Sequence, residues 1–209
     1  MGGAISIRVL RKAEASRFKA VAISGALLAV DPAIATPIMV RLAFCARIFP
    51  WTRGSAEAPG RLRVVQVRLA NLFSAHFPKL ILGDPVPAEH LSRDPVVVNC
   101  YINDPLNWHG AMRARLASEV LRMLGEVNQV ATALSTPFLI LHGEHDMLCP
   151  VSGARNFYER LATKASEKKL VTYPGMYHEI FNEPLEQDSA TKVNTPIRDV
   201  VAFFAQYIS

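Results

Sequence analysis

Two short segments of this sequence carry side chains placed for acid–base chemistry. Gly143-Glu-His-Asp146-Met-Leu-Cys149-Pro150 closes the apolar run Thr136–Gly143, and Tyr173-Pro-Gly-Met-Tyr-His178-Glu closes the apolar run Lys169–Tyr173. Apolar runs of this length, bounded by turn residues, read as buried strands. Residues at the carboxyl ends of parallel strands stand where open α/β sheets place their ligands. A carboxylate beside an imidazole fixes the ring tautomer and stabilises the imidazolium formed when the ring takes a proton. A single Asp after a strand is ordinarily a turn former. Asp146 and His178 at consecutive strand ends are a pair that can move a proton. The competing use of the same stretch is a metal site from His142, His145 and Asp146. Alternation along a strand does not make those three converge, and no second ligand cluster accompanies them. No metal is therefore expected.

The elements that must hold this pair can be read along the chain. Residues 2–17 suit a helix, Lys19–Ser24 a short buried strand, and Ser24-Gly25 the loop after it. Residues 38–49 and 61–77 repeat apolar side chains at helical spacing, with Pro50–Gly60 as a loop between them. Gly83–Asn107 is rich in Pro and Asp and reads as a long connection with little regular structure. A helix over 109–130, the strand Thr136–Gly143, a helix over 150–164, the strand Lys169–Tyr173 and a helix from Pro196 to Tyr207 complete the pattern. Strands alternating with helices indicate α/β architecture, parallel strands flanked by helices, with a helical insertion in the middle. Three strands leave a central-type apolar strand as an open edge, which is an aggregation hazard.

Composition narrows the class. Half of the 209 residues are hydrophobic, which suits a packed core. No apolar run reaches the roughly 18–20 residues of a membrane span. Three cysteines, Cys45, Cys100 and Cys149, lack CxxC spacing and give neither a disulfide framework nor a zinc site. A reducing, cytoplasmic location is expected. The net charge of +5 is regional. Arg41, Arg47, Arg53, Arg61, Arg63, Arg68 and Lys79 share the stretch from Pro32 to Leu80 with one acid, Glu57, so this face suits an anionic surface. No nucleic-acid module is visible, and no nucleic-acid partner is expected. Met1-Gly2-Gly3-Ala4-Ile5-Ser6 also matches the short N-myristoylation pattern, but its glycines have another explanation.

The segments GEHDMLCPVSGARNFYERL and LVTYPGMYHEIFNEP resemble the end of monoacylglycerol lipases of the α/β-hydrolase superfamily. Asn103-Asp104-Pro105-Leu106, followed by His109-Gly110, matches that family's connection into its last third. Met1-Gly2-Gly3-Ala4 resembles the residues after the nucleophile in the G-x-S-M-G-G elbow. The resemblance is strongest over 91–185 and weakest over 38–80, and the order Asp then His fits the superfamily's Ser, Asp/Glu, His sequence of triad members.

It implies that residues 1–209 form a partial α/β-hydrolase domain, with a helical cap and connection over 31–110. It makes Asp146 the orienting acid and His178 the general base, and it implies no cofactor. The backbone N–H at the Met1 position would serve the oxyanion. The nucleophilic serine falls immediately before Met1, so the chain as given is expected to be inactive. Ser6 and Ser24 are poor substitutes, because neither follows a G-x-S-x-G elbow. Cys149, three residues after Asp146, should lie near the pocket. The implied reaction is hydrolysis of carboxylic esters of monoacylglycerols or similar single-chain lipids, with possible peripheral membrane contact through the basic cap. A non-catalytic pseudoenzyme and a membrane-surface binding protein using residues 38–77 remain the alternatives.

Overall fold

The computed structural model describes residues 2–12, 17–29, 74–82, 85–184 and 195–208. Helix α1 (Gly2–Lys12) buries Ala4, Ile7 and Leu10 on one stripe and leaves Ile5 and Val9 exposed. Three-residue steps return a side chain to the same helix face, which accounts for that stripe. Gly3 lets α1 approach the segment after the first strand, because a Cβ there would lie 2.6 Å from the Ala26 methyl.

Strands β1 (Val21–Ser24), β4 (Phe138–Gly143) and β5 (Lys168–Tyr173) form a parallel sheet in the order β1-β4-β5. Val21 pairs with Phe138 and Ser24 with Leu141; Phe138 pairs with Lys168 and Gly143 with Tyr173. All six β4 residues are buried, as a central parallel strand requires. Among the described residues, β1 has one strand neighbour, so its apolar run forms an edge.

Helix α4 (Val151–Arg160) lies between β4 and β5 in sequence and buries Gly153, Ala154 and Phe157, with the Phe157 ring 6.0 Å from that of Phe138. Helix α5 (Thr195–Ala205) adds Phe203 to a core of Leu139, Leu141, Tyr173 and Ile180. The Tyr173 hydroxyl donates to Asp199 Oδ2 at 2.8 Å, and burial together with that acid raises its pKa.

The stretch 83–107 departs from expectation. A 3-10 turn at Ala88–His90 and helix α2 (Pro95–Asn103) occupy it. Three consecutive valines obscure the helix in the sequence, since β-branched residues disfavour it. Local capping prevails: Asp94 Oδ1 accepts the Val96 N–H at 2.8 Å, and Pro95 stands at the first helical position. Asp104, before Pro105, is extended and ends the helix. The helix foreseen over 109–130 also starts later. Helix α3 spans Ala114–Val130, and the residues before it form β3 (Met112–Arg113), antiparallel to β2 (Ile81–Leu82).

Two compact units result. One comprises Met1–Val30, Pro87–Trp108 and Leu124–Ser209; the other comprises Asp31–Val86 and His109–Met123. The first contains the parallel sheet and buries Leu124, Val127 and Val130 of α3; the second contains β2 and β3 and buries Ala114, Ala117, Val120 and Met123. The helices expected over 38–49 and 61–77 lie outside the described residues, apart from the helical turn at Ser74–His76. No described helix is long and apolar enough to cross a membrane.

Candidate active site

The end of β4 turns sharply because its neighbours hold the backbone. Glu144 N–H donates to Tyr173 O at 3.0 Å, and His145 N–H donates to Met176 O at 3.0 Å. Asp146 then sits at the base of the turn with its side chain fully buried. Its Oδ1 accepts the backbone N–H of Leu148 at 2.9 Å and of Cys149 at 2.8 Å. That arrangement is the Asx turn expected of an Asp after a strand. It occupies one carboxylate oxygen and leaves Oδ2 for another partner.

His178 supplies that partner, with its Nδ1 2.9 Å from Asp146 Oδ2. The imidazole is 21 % exposed, so one side of the pair is dry and the other is open. Burial alone would raise the Asp146 pKa. Hydrogen bonds from His142 and His178, the His178 charge and the Cys149 amide outweigh that effect and hold the carboxyl well below its usual range. Asp146 is therefore an anion at neutral pH, able to fix the ring and balance a proton on it.

The loop carrying His178 is fixed from two directions. Gly25 follows β1 with φ +50, and a Cβ there would lie 2.8 Å from the His178 carbonyl oxygen. Gly is the residue that adopts this conformation without a steric penalty. On the other side, Glu179 N–H donates to Leu91 O at 2.8 Å and the Ser92 hydroxyl donates to Asn182 O at 2.9 Å. The Glu183 side chain is fully buried and accepts from the Arg93 amide at 3.0 Å, the Arg93 guanidinium and the Tyr177 amide at 3.3 Å.

The other candidate residues divide. Cys149 is buried, and its sulfur lies within 4.8 Å of ligand atoms of Asp146 and His178. Burial, with the Asp146 charge behind it, pushes the thiol up to about 12. A cation held by these three groups would have to break the Asp146–His178 hydrogen bond and ionise that thiol, so the arrangement favours proton transfer over metal binding. His142 and Asp146 do converge, contrary to expectation: His142 Nε2 lies 3.3 Å from Asp146 Oδ2. The turn after Gly143 folds the Asp back over the strand. His145 points elsewhere, accepting the Gly175 N–H at 3.1 Å. Ser6 is exposed on α1 and bonds to the Gly2 carbonyl at 3.1 Å. Met1 lies outside the described residues.

Sequence reasoning missed Arg93, Glu183 and His142 as supports of the pair. Gly25 had a signal, a glycine directly after a buried strand. Glu183 had none, because a surface acid and a buried one look alike in sequence.

The profile of the serine aminopeptidase S33 family of hydrolases matches residues 1–185. The chain belongs to that family of α/β-hydrolases. Solved structures share the fold of this S33-family chain. A monoacylglycerol lipase of Paleococcus ferrophilus aligns with 98 % of the chain and 65 % of its own length, at TM-score 0.67 and 24 % identity. A soluble variant of the Saccharomyces cerevisiae monoglyceride lipase, in complex with a substrate analog, aligns with 99 % of the chain and 60 % of its own length, at TM-score 0.67 and 15 % identity. Among curated proteins, the monoacylglycerol lipase of Mycolicibacterium smegmatis is 42 % identical over 109 residues, which is 51 % of this chain and 38 % of that protein. The human monoglyceride lipase is 30 % identical over 136 residues, 65 % of this chain and 43 % of its own length. The S33-family chain thus spans about two fifths of the curated relatives it matches.

Proposed function

We propose that this chain carries the acid and the base of a Ser-His-Asp carboxylic ester hydrolase acting on monoacylglycerols or similar single-chain lipid esters. The observation that carries the reading is the 2.9 Å contact between His178 Nδ1 and a buried, anionic Asp146 at adjacent strand ends. The names of the relatives support the substrate class. With Nδ1–H donated to Asp146, the lone pair on Nε2 is the base. It takes the proton of a serine hydroxyl as the serine oxygen bonds to the ester carbonyl carbon. It returns the proton to the departing glycerol oxygen as the ester C–O bond breaks. Water repeats the sequence and releases the fatty acid. Asp146 stays ionised throughout and balances the imidazolium.

On this reading the elbow resemblance has the serine immediately before Met1, and no G-x-S-x-G motif occurs within the 209 residues. The 209-residue chain is therefore expected to be inactive by itself. A basic, apolar cap over 31–110 would meet the lipid surface as a peripheral contact. The test compares two proteins: the chain alone, and the chain joined at Met1 to a family segment ending in Gly-x-Ser. The longer protein should hydrolyse a monoacylglycerol and label with a fluorophosphonate, and His178→Ala in it should lower kcat by about 10⁴-fold or more. Stoichiometric labelling of the short chain would show that the nucleophile lies elsewhere. Failure of the longer protein to react would favour the non-catalytic reading.

A further inference from the structure

We propose that His142 is a positioning residue for the Asp146–His178 pair, its Nε2–H held by the Cys149 carbonyl and lying beside the carboxylate oxygen that also receives His178. The inference rests on the reading of that pair as the acid and base. His142 lies on β4, four residues before Asp146, and is completely buried. Its Nε2 faces two oxygens, Cys149 O at 2.7 Å and Asp146 Oδ2 at 3.3 Å. Its Nδ1 is buried without a hydrogen-bond partner.

These contacts select the tautomer. A ring protonated on Nδ1 would bury an unpaired N–H and turn the Nε2 lone pair towards two oxygens. A ring protonated on Nε2 gives that N–H two acceptors and leaves only a lone pair unmatched, the smaller loss for a buried group. His142 is therefore an Nε2–H donor to the Cys149 carbonyl, with Asp146 Oδ2 3.3 Å from the same nitrogen.

The consequence lies in the carboxylate. Oδ1 is occupied by the amides of Leu148 and Cys149, so Oδ2 is the oxygen that faces both imidazoles, His178 at 2.9 Å and His142 at 3.3 Å. An anion with an additional donor is a weaker acceptor for each of the others. His142 thereby fixes the rotation of the carboxylate and limits how tightly it holds the Nδ1–H of His178, which in turn sets how strongly the ring binds the proton that Nε2 takes and returns. Among the described residues, the ionisable side chains around the His178 loop are few. The turn after β4 brings His145, Asp146 and Cys149. The loop itself brings Tyr177, Glu179 and Glu183, and the segment bonded to it brings Arg93. Of these, Asp146 hydrogen-bonds the His178 ring.

The test is imidazole NMR on the 209-residue chain, which requires no turnover. In the wild type, nitrogen–proton correlation should show His142 protonated on Nε2 and bare on Nδ1. His142→Phe removes the neighbouring donor and should move the His178 Nδ1–H resonance downfield, as its bond to Asp146 tightens. His142→Gln, which retains an N–H donor, should return that resonance most of the way to its wild-type position. An Nδ1–H tautomer in the wild type would overturn the proposal without any variant. An unmoved His178 Nδ1–H resonance in His142→Phe would also overturn it, leaving His142 a structural residue. The catalytic reading fails separately, if hydrolysis by the serine-bearing protein survives His178→Ala.

Discussion

Gly143→Ala tests how the site is built. A methyl group on Gly143 would stand 2.1 Å from the Tyr177 carbonyl oxygen, 2.4 Å from that of Met176 and 2.8 Å from the Met176 carbonyl carbon. Tolerated C···O contacts begin at about 3.3 Å, so the backbone at 176–177 must retreat by about 1 Å. His178 is the next residue. The same movement takes its Nδ1, now 2.9 Å from Asp146 Oδ2, beyond hydrogen-bond range. The bond from His145 N–H to Met176 O, now 3.0 Å, goes with it. A neutral bond contributes about 1 kcal/mol and one to a charged group about 1.5–3; overpacking adds about 1–3 kcal/mol. A total of about 5 kcal/mol is a large share of the roughly 5–15 kcal/mol that stabilises a domain. Urea denaturation should show that loss, and the His178 Nδ1–H resonance should disappear. Gly125→Ala in α3 is the control: a Cβ there meets nothing within 4 Å, and exchanging Gly for Ala inside a helix should add about 0.8–1 kcal/mol. A Gly143→Ala protein with the wild-type midpoint and an intact resonance would refute the claimed packing of this loop on β4.

Three further outcomes follow from the same geometry. Asp146 has a folded pKa below its ordinary 3.8, so its contribution is complete well above that pH and is lost as acid protonates it. Asp146→Asn should flatten the acid arm of a stability-versus-pH curve measured by denaturant titration. Arg93→Ala leaves the fully buried Glu183 carboxylate without its guanidinium, which should cost about 3 kcal/mol in chemical denaturation; an unchanged midpoint would show the pair to be idle. With its thiol pushed up to about 12, buried Cys149 should resist iodoacetamide at pH 8 in the native chain while exposed Cys100 reacts, as read by peptide mapping.

The sheet was legible because parallel strands declare themselves. Phe138–Gly143 is buried on both faces and opens on the apolar run Phe138–Leu141, and the observed strand starts two residues inside the expected Thr136. Helix α2 was hidden for the opposite reason. Its interior has poor helix formers and no buried face, so neither propensity nor periodicity marks it. Its signal lay in the cap, Asp94 followed by Pro95, a starting pair outweighed by the surrounding Pro and Asp.

The site was half legible, and the division is physical. Asp146 and His178 stand beside turn residues at strand ends, so topology alone brings them near one another. Their supports come from contacts between segments distant in sequence: Arg93 with Glu183 across 90 positions, and Gly25 with His178 across more than 150. His142 was visible but dismissed, because alternation along a straight strand keeps residues 142 and 146 apart. The strand stops at Gly143, and the turn drawn in by Tyr173 O and Met176 O doubles Asp146 back over it. The same glycine thus admits the loop that carries His178 and lets the turn bring Asp146 onto His142. A single side chain there would disturb both contacts of Oδ2, which is why position 143 tests the arrangement more sharply than either member of the pair.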